Sequence, residues 1–310
     1  MSRDLYHSPL LTIIVLTWNN FGDTAECLHS LRKLNYPQYN VVLVDNGSTD
    51  GSIERLQSEF PEVKIIKNGK NLGYAGGNNI GIEYALSKDA DYIILLNNDT
   101  IVDVNLATEL IQASHETGNL GIFGCVNYYY NDRKKIQFSG GIFNWKTGDI
   151  IDTTRHKIDK GQFQLLKEVD TVVGSCLFLP TTIIKTVGLL DNRYFLTFEE
   201  SDLCCRVIKA GYKVYTYMGA GIWHKVSVTG QAQKKGLNIL TYYAVRNRFL
   251  FLIRNSPKQF LPVSLTYHIA RTVVYISKEI RNRNTAQAKL LLFGLRDGIF
   301  CRFGKGYLTE

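Results

Sequence analysis

Tyr92-Ile93-Ile94-Leu95-Leu96-Asn97-Asn98-Asp99-Thr100 changes character at a single point, where an apolar run stops and oxygen-bearing polar side chains begin. An aliphatic run without polar alternation reads as a strand buried on both faces, as parallel strands in an α/β sheet are. Asn97, Asn98 and Asp99 then stand at its carboxyl end, and open α/β sheets bind their ligands in the crevice outside the carboxyl ends of strands. The same residues also suit ordinary turn chemistry leading into a helix cap. This stretch alone leaves both readings open.

Upstream the pattern repeats. Leu11 to Leu16 is an apolar run, and Asp23 with Glu26 three residues on predicts a capping-box start to a helix reaching about Leu34. Val41 to Val44 predicts a second strand, ending at Asp45-Asn46-Gly47-Ser48-Thr49-Asp50-Gly51, after which Ile53, Leu56 and Phe60 have helical spacing. Val63 to Ile66 predicts a third. A glycine-rich loop, Asn71 to Asn79, is expected before a helix carrying Ile80, Tyr84 and Ala85. Strands alternating with helices in this way predict an α/β fold with a mostly parallel central sheet flanked by helices. The polar loops after all four strands gather on one edge of such a sheet, which makes that edge the site. A dinucleotide-binding fold would place G-x-G-x-x-G after its first strand, where this chain has Thr17-Trp18-Asn19-Asn20. Gly73, Gly76 and Gly77 come after the third strand and fit either a ligand loop or close helix-strand packing.

In the middle, Val172 to Leu179 reads as a strand leading to a short helix that ends near Gly188, and Glu200 to Ala210 as a helix closed by Gly211. Glu199, Glu200 and Asp202 cluster at that helix's start, where acids are favoured by the helix dipole with or without chemistry. Asn144 to Gln164 is polar and aperiodic, expected as a loop or hairpin over the cleft. Beyond Gly230 the pattern is helical and amphipathic, with Arg246, Arg248 and Arg254 among apolar residues, then Arg271, Lys278 and Arg281.

The length of 310 residues supports one large domain with an appendage. The six cysteines form no C-x-x-C pair, which predicts reduced thiols, a cytoplasmic setting and no zinc. Met1 to Pro9 is polar and Leu10 to Leu16 is short for a signal-peptide core. No run approaches the roughly 20 apolar residues of a membrane span. The net charge is +8, but from Leu237 onward there are 12 Lys or Arg against 3 Asp or Glu, so the excess lies wholly in the C-terminal quarter. That basic segment is read either as a solvated face packed on the body or as a platform for an anionic membrane surface. No nucleic-acid-binding motif accompanies it.

Thr17-Trp18-Asn19, Asp45 to Gly51, Asn71-Leu72-Gly73 with Gly76-Gly77-Asn78, and Asn97-Asn98-Asp99 together resemble the donor-binding half of a family 2 glycosyltransferase with the GT-A fold. The resemblance continues through Phe195-Leu196-Thr197-Phe198-Glu199-Glu200-Ser201-Asp202-Leu203 and Gly221-Ile222-Trp223-His224. It spans roughly residues 10 to 230 and points to bacterial rhamnosyltransferase-like enzymes. It implies a catalytic domain over 1–230, with a donor half at about 10–105 and an acceptor half at about 106–230, followed by a basic helical region over 231–310.

The resemblance also implies a reaction and its residues. An inverting transferase would move a sugar from a UDP- or dTDP-sugar to a glycan or lipid-linked acceptor in cell-surface polysaccharide synthesis, assisted by Mg²⁺ or Mn²⁺. Asp45 would bond the base, Thr17, Trp18 and Asn19 would line its pocket, and Gly77, Asn78, Asn97 and Asn98 would complete the donor site. Asp99 and His224 would hold the metal, Glu200 would be the general base, and Glu199 would help orient the acceptor. Two departures stand out: Asn97 occupies a place where many relatives carry Asp, and Glu200 one where Asp is commoner. The implied setting is cytoplasmic, peripheral on the inner face of the membrane. Against it stands a second class, an inactive nucleotide-sugar-binding relative or a basic nucleic-acid- or membrane-binding protein.

Overall fold

A computed structural model describes residues 8–225 and 238–306. The expected boundary after residue 230 and the first residues of the polar leader lie outside them.

The sheet is seeded by the apolar runs. β1 (Leu11–Thr17) lies between β2 (Tyr39–Asp45) and β4 (Tyr92–Asn97), parallel to both, and β3 (Lys64–Lys67) extends it as a parallel edge beside β2. These runs lack polar alternation because both faces are covered. Ile13, Val15, Ile94 and Leu96 belong to a core beneath α1 (Phe21–Leu31), α2 (Ser52–Glu59) and α4 (Leu106–Glu116), while Ile14, Val42, Ile93 and Leu95 face a second core under α3 (Gly73–Ser87). Beyond β4 the sheet becomes mixed. β11 (Cys176–Pro180) runs antiparallel between β4 and β6 (Gly121–Tyr129), β12 (Lys213–His224) runs parallel to β6, and β10 (Leu166–Glu168) closes the far edge. β5 (Thr100–Val102) and β7 (Asp132–Phe138) pair with β12 and β6 off this path.

Two local expectations are corrected. The first helix starts at Phe21 and ends at Leu31, because Asn20 is the cap: its Oδ1 accepts from the Asp23 backbone N–H at 3.3 Å and its Nδ2 donates to Asp23 Oδ2 at 2.8 Å. Glu26 pairs with Lys225 instead. The glycine-rich stretch is not a loop, since helix α3 begins at Gly73 and includes Gly76 and Gly77. A Cβ at Gly77 would stand 2.4 Å from Leu16 Cδ1, and one at Gly81 2.4 Å from Ile14 Cγ2, so the glycines let α3 pack closely on the side chains of β1.

The aperiodic middle contains a hairpin, β8 (Ile142–Asn144) with β9 (Asp149–Ile151), which packs Phe143 and Trp145 against Phe251. α5 (Thr181–Val187) ends at Gly188 and α6 (Glu199–Lys209) is followed by Gly211, much as expected. Three helices complete the chain: α7 (Ile239–Asn255), α8 (Leu261–Arg281) and α9 (Thr285–Ile299). α7 is buried on most of its circumference, whereas α8 fully buries only Ser264, His268 and Thr272.

Candidate active site

The segments after β1, β2 and β3 are tied together at one edge by a hydrogen-bond network. Asn46 is the hub: its Oδ1 accepts from the Leu72 backbone N–H at 2.9 Å and from Asn68 Nδ2 at 3.3 Å, and its Nδ2 donates to Asn71 Oδ1 and the Gly73 carbonyl, both at 3.1 Å. Asp45 is buried and accepts from the Ser48 backbone N–H at 2.8 Å. Asn19 takes a left-handed backbone (φ +50°), its N–H bonding Ser48 Oγ and its Oδ1 accepting from Thr49 N–H. Trp18 beside it is 46% exposed, an aromatic face left open at the end of β1.

Thr17 and Asn98 are turned inward. Asn98 Nδ2 donates to Thr24 Oγ1 at 2.8 Å and Thr17 Oγ1 at 3.3 Å, so these two hold the ends of β1 and β4 against α1 from below. Asn78 is buried within α3, its Nδ2 on the Tyr74 carbonyl and its Oδ1 without a partner. Asn97 is partly exposed, and its backbone N–H bonds the Ser175 carbonyl at 3.0 Å.

Asp99 lies in the turn from β4 to β5. Antiparallel pairing of β5 with β12 sets Thr100 opposite His224, and the Lys225 backbone N–H donates to the Asp99 carbonyl at 2.9 Å. That register brings together residues far apart in sequence, leaving His224 Nε2 3.2 Å from Asp99 Oδ1, both side chains largely buried. His224 Nδ1 lies 2.8 Å from Gln137 Oε1. A carbonyl oxygen only accepts, so with the Gln137 amide so placed Nδ1 carries a proton and the Nε2 edge of the ring faces the Asp99 carboxylate. A carboxylate oxygen and an imidazole nitrogen are both metal-ligating atom types. Among the described residues no group of three or more His, Cys, Asp or Glu is placed to hold a metal. A cation held by so few protein groups would take its remaining ligands from phosphate oxygens and water, the usual manner of Mg²⁺.

The acidic motif stands at the start of α6. Phe195, Thr197 and Phe198 have φ of +62°, +72° and +74°, a run of left-handed non-glycine residues directly ahead of α6. Such backbone is costly and persists only where its surroundings fix it. Here Tyr74 N–H donates to the Phe195 carbonyl, and Asn247 of α7 gives its side-chain amide to the carbonyls of Tyr194, Leu196 and Thr197. Glu199 is 3% exposed, with Oε2 lacking a hydrogen-bond partner, and Glu200 next to it is partly exposed. Burial, followed by the charge of Glu200, holds the Glu199 carboxyl well above its ordinary range; burial pushes Glu200 up to about 7. The segment between β10 and β11 reaches both the acidic motif and the end of β4: Thr171 Oγ1 meets Ser201 Oγ at 3.1 Å, the Gly174 carbonyl accepts from Tyr74 Oη, and the Ser175 carbonyl holds Asn97.

Sequence reasoning passed over the roles of Asn46, Tyr74, Gln137 and Asn247. For Asn46 the signal was its place inside the loop after β2; for Asn247 it was an Arg-Asn pair in an apolar helix.

Comparison with known proteins follows this geometry. The family model described as Glycosyl transferase family 2 matches residues 12–188. A dTDP-rhamnosyl transferase, RfbF, of Shigella flexneri is 27% identical over 295 residues, 92% of this chain and 94% of its own length. An N-acetylglucosaminyl-diphospho-decaprenol L-rhamnosyltransferase of Mycobacterium tuberculosis is 26% identical over 243 residues, 72% of this chain and 79% of its own. A solved mannosyltransferase of Pyrobaculum calidifontis, in complex with GDP-Man and Mn²⁺, shares the fold with a TM-score of 0.59 at 15% identity, over 97% of this chain and 90% of its own.

Proposed function

This chain belongs to glycosyl transferase family 2 and is a glycosyltransferase of the GT-A fold, and from that premise we propose that it is an inverting enzyme transferring a sugar from a UDP- or dTDP-sugar to a hydroxyl of a glycan or lipid-linked acceptor. The observations that support this reading are a carboxylate-imidazole pair, Asp99 with His224, beyond the end of β4, and two adjacent carboxyls at the start of α6, Glu199 buried and Glu200 partly exposed, both raised above their ordinary range. Its rhamnosyltransferase relatives supply the dTDP-sugar as a candidate donor and a diphospho-lipid as a candidate acceptor.

In this proposal Asp45 and Asn19 receive the base, with Trp18 against its face; Gly77, whose bare Cα is closed over by Leu16, serves the packing of α3 and not the nucleotide directly, while Asn78, Thr17 and Asn98 hold the frame. Asp99 and His224 would hold Mg²⁺ or Mn²⁺, which when bound neutralises charge on the departing diphosphate. Asn97, a neutral amide oxygen beside that pair, contributes to the donor without adding charge. Glu200 accepts the proton of the acceptor hydroxyl as that oxygen attacks the anomeric carbon opposite the diphosphate. A carboxyl poised near neutrality suits a base, since it is substantially ionised at working pH and still basic enough to take the proton. Glu199, held neutral by burial beside it, lets Glu200 carry the single negative charge of the pair.

The acceptor side of the proposal includes the membrane surface. Val263, Tyr267, Val273, Val274 and Ile280 are exposed along α8 beside Lys278 and Arg281. The two acids among residues 238–306 are both engaged, Glu279 with Asn284 and Asp297 with Tyr242, so the exposed charge is basic. No helix among the described residues is long and apolar enough to cross a membrane.

The deciding experiment supplies UDP- and dTDP-sugars with Mn²⁺ and follows nucleoside diphosphate release and the anomeric configuration of the product. Glu200→Gln should lose transfer by about 10²–10⁴-fold, the usual worth of a positioned base, while calorimetry finds donor affinity nearly unchanged. A product that keeps the donor's configuration refutes single displacement. If Glu199→Gln suffers the larger loss, Glu199 is the base.

A further inference from the structure

Arg-Asn occurs twice in α7, as Arg246-Asn247 and Arg254-Asn255, about two helical turns apart. Both pairs face the acidic motif. Arg254 Nε and Asn255 Nδ2 donate to Asp202 Oδ1 at 3.2 and 3.0 Å, fixing the first turn of α6. Arg246 and Asn247 address the loop before it. Asn247 is completely buried, and its Nδ2 lies 2.7, 2.8 and 3.0 Å from the carbonyls of Tyr194, Leu196 and Thr197. Arg246, also completely buried, gives Nε to Asn247 Oδ1 at 2.9 Å and Nη2 to the Tyr194 carbonyl at 3.0 Å. The guanidinium only donates, so it fixes the amide with its oxygen toward Arg246 and its N–H groups toward the loop.

Three carbonyls converging on one amide nitrogen is the feature that needs a reason. Carbonyls of an ordinary extended loop diverge. The left-handed residues Phe195, Thr197 and Phe198 turn these inward, and without the amide the Leu196 and Thr197 carbonyls would lose its donation, while that of Tyr194 would keep Arg246 Nη2 and the Leu196 N–H. We propose that Arg246 and Asn247 are positioning residues for the acceptor side of the reaction: by holding residues 194–198 in this form they set where the Glu199-Glu200 pair stands and keep water from it. The proposal rests on the assignment of Glu200 as base and goes beyond it, since it makes the C-terminal helix part of the catalytic apparatus. Burial is also what holds both carboxyls above their ordinary range, with Tyr74 of α3 and Cys204 of α6 the titratable groups that face them. A loosened loop admits water and lowers both.

Asn247→Ser, which keeps one hydroxyl donor, and the near-isosteric Asn247→Asp, which sets an oxygen against three carbonyl oxygens, test this in the full chain. In Asn247→Ser, kcat should fall on the order of 10²-fold, the cost of misplacing a reacting group by about 1 Å. The acid limb of its pH-rate profile should move toward the ordinary carboxyl range. Affinity for dTDP with Mn²⁺, by calorimetry, should stay within about threefold, as expected when only an interaction made in the transition state is lost. Melting gives a readout without turnover. A carboxyl whose pKa is raised by folding withdraws stability as pH climbs from its unfolded value through its folded one, so the parent's melting temperature should drop between about pH 5 and pH 8 and the variants' drop should be shallower. A lower melting point with kcat, pH-rate profile and pH dependence of melting all as in the parent would reduce Asn247 to a support of the fold and overturn the proposal. Equal loss of dTDP affinity and transfer would overturn it as well. Should the parent transfer no sugar, the base assignment fails, and the melting comparison alone still decides whether Asn247 governs the carboxyl pair.

Discussion

At the scale of single residues the site is two pairs with opposite requirements. On the proposed reading Asp99 and His224 hold a cation, so Asp99→Ala should abolish metal-dependent transfer, whereas Asn97→Asp should retain it and reach half-maximal rate at a lower Mn²⁺ concentration. A Mn²⁺ titration of initial rates checks both, and full metal-dependent turnover in Asp99→Ala would remove that residue from the ligand set. Glu199 and Glu200 are instead pushed toward their protonated forms by burial. Folding raises their pKa, so their contribution is intact below the unfolded carboxyl value and is lost as pH rises through about 7 for Glu200. Glu199→Gln, permanently neutral, should accordingly melt higher than the parent at about pH 8, by roughly 2–4 °C for each kcal/mol recovered, and no higher at about pH 5. A lower melting point at pH 8 would mean that the carboxylate makes a bond the amide cannot. Activity at this pair is thus set against stability, as is common where ionisable groups are buried for function.

At the scale of elements, the same separation between runs and registers explains what the sequence disclosed. The apolar runs at Leu11, Val41 and Tyr92 announced β1, β2 and β4 because burial on both faces removes all alternation, and Asp45 and Asp99 were legible as the polar residues that end such runs. The Asp99-His224 contact was not legible from spacing, because it depends on β5 pairing with β12 across more than a hundred residues. The glycines of α3 misled for a physical reason: glycine marks both loops and close packing, and only the tertiary approach of Leu16 and Ile14 distinguishes them. Gly73 shows the tightest case, with φ +74° and a Cβ position 2.3 Å from the Phe195 carbonyl oxygen. Gly73→Ala should therefore destabilise by about 1–3 kcal/mol in chemical denaturation and disturb the acidic loop through the Tyr74-Phe195 bond. Gly22→Ala is the contrasting substitution: its Cβ would meet nothing within 4 Å in α1, and it should be neutral or stabilise by about 0.4–1 kcal/mol. Equal effects of the two would refute the packing explanation.

At the scale of the molecule, charge and apolar surface are distributed unequally, with the basic residues and the exposed face of α8 on the C-terminal helices. Each basic side chain close to an anionic bilayer is worth about 1 kcal/mol, so the protein should sediment with phosphatidylglycerol vesicles at low salt and release as salt shortens the screening length. Val274→Glu combined with Ile280→Glu should weaken the binding without altering donor affinity. Equal sedimentation with neutral and anionic vesicles would discard the membrane surface as a partner. The sheet's outermost strands bear on behaviour in a crowded solution. β3 is Lys64-Ile65-Ile66-Lys67 and β10 is Leu166-Lys167-Glu168, each brief and carrying charge. Short charged margins of this kind offer a poor template for a foreign strand, so the ten-stranded sheet is guarded against growing by accretion into fibrils, and a concentrated stock should stay free of thioflavin-positive aggregate while it remains folded.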